Sequence, residues 1–487
     1  MSADALFLTL LVDAAKNRDI ATADIAGAYL NAFMDELVIL RLTGEDVDLM
    51  CDVSPEFKEY IAYENGRKVL YLRLVRALYG CVKSALLWYK LFTNTLADRG
   101  FTLNPYDNCV ANATINGSQC TIAWYVDDCK ISHKDPKVVD EIVKYIEGHF
   151  GEMTKTRGKS HEFLGMNISF LGDRKIQIEM KRYLKEAREA SLMDISRTAP
   201  TPAAHSLYDI DETSSALDAD ESERFHSVVS KLLYVAMRGR PDLLVALCFL
   251  TTRVTKPTEQ DQRKLKRLLE YINGTLDLVL TIGSDDLSLM YTYVDAAYGV
   301  HADCRSQTGG VTTFGIGGIV CRASKQKLNT KSSTEAELVG ASDYLSNTVW
   351  IQNFMAAQGY PLEKSYFEQD NESAIKLEKN GRTSAGQRSR HIHNRYFWIK
   401  DRLLQDKITL RHCDTLAMLA DFLTKPLQGQ LFRKFRDVIL GYKHISTLRQ
   451  LPSHDVERVE GNRGNGSTVT WADVARGTTP AGNDVRQ

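Results

Sequence analysis

Ile122-Ala123-Trp124-Tyr125-Val126-Asp127-Asp128-Cys129-Lys130-Ile131 is the stretch on which the reading of this chain turns. An apolar run before the acids and Ile131 after them predict two strands joined at a hairpin, with Asp127 and Asp128 at its turn. Two adjacent carboxylates there project either into solvent or onto a metal ion. Asp is a common turn former, so an isolated pair also reads as an ordinary Asp-rich β-turn. The rest of the chain has to decide between the two.

With 487 residues, the chain has room for about three domains at roughly 100 to 200 residues each. A hydrophobic share of 44% and a charged share of 25% are ordinary globular values, which argues against a disordered or fibrous protein. The nine cysteines are an odd number and contain no Cys-x-x-Cys pair, which argues against a disulfide framework and against a zinc site. No apolar stretch is long enough for a membrane span, and the run Ala5 to Val12 follows acidic Asp4 rather than a basic leader. The expectation is an intracellular chain with no anchor. A net charge of −1 lacks the basic excess common among nucleic-acid binders, although a template channel needs only a local basic stripe.

Residues 1–175 alternate amphipathic helical stretches with strand-like runs such as Cys120 to Val126 and Glu162 to Phe170, one mixed α/β unit. Residues 198–221 are rich in Thr, Ser, Ala, Pro and Asp without apolar periodicity and read as a linker. That linker lies inside a helical connection, 176–285, where Pro257 to Gln262 open a strong helix. Leu287, Leu289, Tyr291 and Tyr293 alternate with other residues in the period of a strand that runs into Asp295 and begins a second α/β unit, 286–445. Residues 446–487 have little that could form a core and read as a disordered tail.

Tyr125-Val126-Asp127-Asp128 resembles the signature hairpin of reverse transcriptases, and Ala23-Asp24-Ile25-Ala26-Gly27-Ala28-Tyr29-Leu30-Asn31 resembles the upstream acidic motif of the copia retrotransposon form. The resemblance implies that Asp24 and Asp127 are essential ligands of two magnesium ions, with Asp128 a nearby acid, because nucleotidyl transfer by two metals requires carboxylates from separate strands. Hard oxygen donors favour Mg2+, with Mn2+ the second candidate. Tyr29 matches the position where the family sets a ring under the incoming sugar and excludes a 2′-hydroxyl; its plainer reading is a core aromatic. Arg76-Ala77-Leu78-Tyr79-Gly80-Cys81-Val82-Lys83 through Trp88-Tyr89 is similar to the family's Leu-Tyr-Gly element, with Lys83 where a Gln that positions nucleotide and template is usual, and Ala85 where Pro is usual. His161 to Met166 resembles the strand that supports the primer end.

A second set of acids resembles the copia ribonuclease H domain. Asp295 opens Asp295-Ala296-Ala297-Tyr298-Gly299, followed by Arg305-Ser306-Gln307-Thr308-Gly309-Gly310; Glu337 lies in Lys331-Ser332-Ser333-Thr334-Glu335-Ala336-Glu337-Leu338; Asp370 lies in Glu368-Gln369-Asp370-Asn371; and Asp421 lies in Leu416 to Lys425. The resemblance implies that these four hold two further magnesium ions around the scissile phosphate of an RNA strand. Three of the four have a plainer reading: Thr334 with Glu337 as a capping box, Asp370 as a helix cap, Asp421 on the exposed face of an apolar helix. His391, in Arg390-His391-Ile392, resembles a segment near that active site, as a group for proton transfer or product release or as part of a loop touching the hybrid backbone. The basic run Arg263, Lys264, Lys266 and Arg267 reads either as a grip on a duplex or as a solvated helix face.

The expected architecture is therefore α/β: an α+β palm with partial fingers (1–175), a helical thumb and connection (176–285), and a mixed-sheet ribonuclease H-like domain (286–445). The implied activity is RNA- and DNA-directed DNA polymerisation with hydrolysis of RNA in RNA:DNA hybrids. The implied partners are an RNA template, a DNA primer, dNTPs, self-association or assembly with capsid and integrase products, and no membrane; the implied place is a cytoplasmic particle or the nucleus. The family carries a fingers segment before the first acidic motif, and 23 residues precede Asp24 here, so a truncated N-terminal end is expected. The alternatives are a relic with ribonuclease H activity only, or a non-catalytic nucleic-acid-binding remnant.

Overall fold

The computed structural model describes residues 1–380 and 398–448, so Arg390, His391 and the tail from 449 onward lie outside the described residues. The chain divides into two compact units, Met1–Leu164 and Gly165–Gln487.

The first unit is built on a six-stranded sheet whose order is Thr102–Asn104, Asp107–Ile115, Ser118–Tyr125, Asp128–His133, Asp19–Asp24, Thr154–Arg157. Strand alternation divides the side chains between its faces. Ile122, Trp124, Cys129 and Ile131 join Trp88 and Phe92 of helix Ser84–Asp98 and Ile142 and Ile146 of helix Pro136–Phe150 in one core. The opposite face turns Thr121, Lys130 and Ser132 toward the N-terminal helix Ala3–Ala15: buried Asp13 binds Lys130 and accepts from Ser132 at 2.6 Å, while Arg18 donates to Asp13 at 3.3 Å and to Thr121 at 2.9 Å. A small sheet of Ile39–Thr43, Arg67–Arg73 and Ala62–Glu64 packs on helix Glu45–Val53 through Val47, Cys51 and Leu70.

The predicted strand at Glu162 to Phe170 is two strands, Ser160–Phe163 and Met166–Gly172, because Leu164 and Gly165 both take positive φ between them. His161 of the first is buried and meets the Thr22 hydroxyl at 3.1 Å, which ties that strand to Asp19–Asp24.

The second unit contains a five-stranded mixed sheet in the order Val320–Lys325, Gln307–Thr313, Leu289–Ala297, Lys364–Gln369, Ile408–His412. The first two pairings are antiparallel and the last two parallel. Parallel strands need a crossover, and helix Ser333–Ala357 supplies one. Strand Leu280–Ser284 pairs with Lys175–Glu179 on one side and with Gly315–Ile316 on the other, so residues of the expected connection and of the ribonuclease-like region fall in one compact unit.

Residues 198–221 have the composition of a linker but are ordered. Ala199, Thr201, Ala203 and Leu207 are buried, and Tyr208 donates to the Thr424 carbonyl at 3.0 Å. The basic helix face predicted at 263–267 holds this strap: Lys264 reaches the Asp209 carbonyl at 2.5 Å and Arg267 the Thr201 hydroxyl at 3.0 Å. Its helix, Glu259–Asn273, opens with a Thr258/Asp261 capping box.

Arg240 and Asp242 form a bidentate pair, both contacts 2.8 Å, that is almost wholly buried. Arg240 also donates to the Thr275 carbonyl at 2.9 Å, and Tyr271 donates to Asp242 at 2.8 Å, so the network is satisfied. Arg240→Ala strands a buried carboxylate and is expected to cost about 3–5 kcal/mol in urea unfolding. Arg240→Met with Asp242→Leu, which removes both charges at similar volume, should recover most of that loss.

Candidate active sites

In the first unit the hairpin forms with Tyr125 opposite Asp128 and a two-residue loop, Val126-Asp127. Val126 has a φ of 59°, a left-handed conformation that is costly for a β-branched residue. Two contacts hold it there: Trp88 Nε1 donates to the Val126 carbonyl at 2.7 Å, and Ile25 N donates to the Asp127 carbonyl at 3.0 Å. The second contact clips the loop to the residue after Asp24. Strand Asp19–Asp24 runs antiparallel to Asp128–His133 in a register that sets Asp24 opposite Asp128. Three carboxylates from two adjacent inner strands and the hairpin loop are thus gathered at one end of those strands.

All three are half-buried, which weakens water screening between them. Burial, then the charges of Asp127 and Asp24, push the Asp128 carboxyl up to about 6 from its ordinary 3.8. Between those two values the folded chain binds more protons than the unfolded one, so the contribution of Asp128 to stability falls as pH rises through that window. In EDTA, urea midpoints of Asp128→Asn should therefore gain on the wild type between about pH 4 and pH 6 and keep the advantage above it. Equal pH profiles would contradict the electrostatic coupling.

Tyr29 lies in the short 3-10 turn Ala28–Asn31, half-buried at the margin of the core and 4.5 Å, centroid to centroid, from the ring of Tyr79. Lys83 is the residue before helix Ser84–Asp98 and is engaged by acids, Glu36 at 2.7 Å and Asp35 at 3.4 Å.

In the second unit the structure takes up each plainer reading in turn. Helix Ser333–Ala357 is capped by Ser332, whose hydroxyl accepts from Glu335 N at 3.2 Å while Glu335 accepts from Lys331 N at 2.8 Å. The predicted Thr334/Glu337 box is therefore displaced by two residues, and Glu337 faces the sheet, where it accepts from Ala296 N at 3.0 Å. The helix after Asp370 takes its cap contact from Asn371, which accepts from Ala374 N at 3.0 Å. Asp421, expected within one apolar helix, instead begins the single turn Asp421–Thr424 after a 3-10 turn at Thr415–Ala417, and it is buried.

Asp295 and Asp370 converge because their strands run parallel, with Tyr293 opposite Glu368. Ligand atoms of Asp295, Glu337 and Asp370 lie within 4.8 Å of one another, and among the described residues this is the one such trio. Asp421 joins through a residue that sequence reasoning missed: Lys425 pairs with Asp421 at 2.7 Å and approaches Asp295 at 3.6 Å. Its place four residues after Asp421, one turn further along the chain, is the signal that could have found it. Thr424 also donates to Asp295, and Thr415 donates to Asp370 at 3.3 Å.

Burial raises the carboxyls of Glu337, Asp421 and Asp370, and the charge of Asp295 raises all three further. Lys425 is the cation that offsets part of this repulsion. Gly309 makes the arrangement geometrically feasible: a Cβ there would lie 2.8 Å from Thr424 and 2.9 Å from the Ala420 carbonyl, so only glycine lets the Asp421 turn come this close to the sheet.

Comparison with known proteins places residues 2–204 in a match to the reverse transcriptase (RNA-dependent DNA polymerase) family. A retrovirus-related Pol polyprotein from transposon TNT 1-94 of Nicotiana tabacum is 25% identical over 88% of this chain and 31% of its own length. The Pol polyprotein from transposon RE1 of Arabidopsis thaliana is 27% identical over 75% of this chain and 25% of its own length. A putative transposon Ty5-1 protein of Saccharomyces cerevisiae is 27% identical over 66% of this chain and 98% of its own length. The chain thus spans a third or less of those two Pol polyproteins and nearly all of the yeast protein. A crystal structure of Prototype Foamy Virus protease-reverse transcriptase aligns over 85% of this chain and 45% of that one, with 12% identity and a TM-score of 0.20.

Proposed function

We propose, from the premise that this chain is a copia-type Pol fragment whose residues 2–204 are its reverse transcriptase region, that it makes DNA on RNA and DNA templates and hydrolyses RNA paired with DNA. The observation that carries the polymerase is the register that sets Asp24 opposite Asp128 with Asp127 clipped beside them. The observation that supports the nuclease is the convergence of Asp295, Glu337 and Asp370, joined by Asp421 through Lys425.

Both donor sets consist of carboxylate oxygens with no Cys or His, which fits Mg2+ or Mn2+ and disfavours zinc. Bound in pairs, these ions would neutralise phosphate charge and activate the attacking oxygen. In the polymerase, Asp24 and Asp127 would hold them, Asp128 would tune the local charge, and Tyr29 would support the sugar of the incoming dNTP. Primer 3′-oxygen attack on the α-phosphorus forms the new ester and releases pyrophosphate. In the nuclease, Asp295, Glu337, Asp370 and Asp421 would hold the ions at an RNA phosphate of the hybrid. There a water oxygen bonds to phosphorus and the 3′-oxygen of the preceding ribose leaves.

A hydrolase-only reading is favoured by one observation: the mutual 4.8 Å approach of three acids is met in the second unit and, among the described residues, nowhere else. Magnesium-dependent primer extension by the purified chain on an RNA template, run beside cleavage of an RNA:DNA hybrid, separates the two. The expected result is both activities. Cleavage without extension would leave the hydrolase alone, and neither activity in a folded chain would overturn the enzymatic reading.

A further inference from the structure

Tyr79 carries no carboxylate, yet the first unit fixes its ring in place beside Tyr29. Its ring lies 4.5 Å from that of Tyr29 at an interplanar angle of 40°, a tilted pair at close range. Both rings are carried by irregular segments that are tied together from each side. Ala77 N donates to the Ala32 carbonyl at 2.9 Å, and Met34 N donates to the Val75 carbonyl at 3.0 Å. Arg76 reaches back to the carbonyls of Leu30 at 3.3 Å and Asn31 at 2.9 Å, which end the turn bearing Tyr29, and lays its guanidinium 4.2 Å over the Phe33 ring. Beyond Tyr79 the Ser84 hydroxyl donates to the Leu78 carbonyl at 2.6 Å, and Gly80 turns the chain with a φ of 93°.

Tyr79 remains about half exposed, at 49%, so this pair is not a sealed core contact. The acids are near it: burial, then Asp127, Tyr29 and Asp24, push its phenol up, which keeps the hydroxyl protonated beside those carboxylates. A ring that is half exposed, set at a tilt against Tyr29, and within electrostatic reach of the acids fits a supporting wall of the nucleotide pocket.

We infer that Tyr79 is a specificity-determining positioning residue: it buttresses Tyr29 and so fixes how closely that ring approaches the sugar of the incoming nucleotide. This rests on the polymerase reading above. The ring, rather than the hydroxyl, performs the task, since the contact with Tyr29 is a close tilted approach of the two rings. Without the buttress, Tyr29 can lean away and admit a 2′-hydroxyl.

The test is the ratio of kcat/KM for dATP to that for ATP in primer extension, measured for wild type, Tyr79→Ala, Tyr79→Leu and Tyr79→Phe. A lost ring pair should lower the ratio by up to about tenfold in the Ala and Leu variants, and Phe should restore it. A merely structural role would lower both rates together and leave the ratio unchanged. If a variant is too slow to assay, displacement of mant-dATP by dATP or ATP from the primer–template complex reads the same ratio. Ala and Leu variants with the wild-type ratio would overturn the inference while the polymerase reading stands. A wild type that neither extends primers nor binds mant-dATP, yet cleaves hybrid, would overturn both.

Discussion

Asp127→Asn should abolish primer extension, lowering it by at least about a thousandfold, and leave hybrid cleavage unchanged. The size follows from the proposed role: a carboxylate that held ions worth several kcal/mol to the transition state, at about 1.4 kcal/mol per tenfold, would account for roughly three decades. The selectivity follows from the carboxylates coming from separate units, since Asp295, Glu337, Asp370 and Asp421 all lie beyond Leu164. Asparagine preserves the shape, and the loop is held through backbone carbonyls, Val126 to Trp88 and Asp127 to Ile25, that the substitution does not touch. Removing the Asp127 charge also removes one of the two charges that push Asp128 up, so the urea midpoint at neutral pH should stay or rise. A variant that extends primers at a tenth of the wild-type rate or better would remove Asp127 from the metal-binding set.

The acids were legible because each sits in a short contiguous string at the end of a regular element, where one strand or helix start fixes its direction. Asp24 ends its strand, Asp295 is near the end of its own, and Asp370 follows directly on Lys364–Gln369. What the strings could not tell was which residue caps a helix. Ser332 and Thr334 are both adequate caps; the one that wins leaves Glu337 turned toward the sheet.

The strap at 198–221 was illegible for a different reason. Its small and polar residues lack periodicity because it is an irregular segment, with a 3-10 turn at His205–Tyr208, held through Lys264 and Arg267 more than fifty positions away. Periodicity reports an element's own regular packing, and a segment tied down by another element's side chains carries no such signal. Within the basic run read as a duplex grip or a solvated face, Lys264 and Arg267 have internal partners in this strap, while Arg263 pairs with Glu259 on its own helix surface.

Glu337→Gln should lower hybrid cleavage by at least about a thousandfold, leave primer extension intact, and keep or raise stability at neutral pH. Glutamine retains the acceptor for Ala296 N, so the backbone contact at 3.0 Å has a replacement. What is lost is a charge in a place where burial and the carboxylates of Asp295, Asp370 and Asp421 all hold the Glu337 carboxyl well above its ordinary range. Below the unfolded value of 4.5 both states are protonated and the group costs nothing; as pH rises from there toward the folded value, the folded state is penalised. The variant escapes this penalty, so its urea midpoint in EDTA should exceed that of the wild type at pH 7.5 and converge on it at about pH 4. Lys425 offsets part of the repulsion through Asp421 and Asp295, which is why the wild type tolerates the cluster at all. A cluster kept at a cost to stability is what a site selected for ion binding requires. If Glu337→Gln instead destabilised the chain and spared cleavage, Glu337 would be a buried anchor between helix and sheet and the nuclease assignment would lose its central ligand.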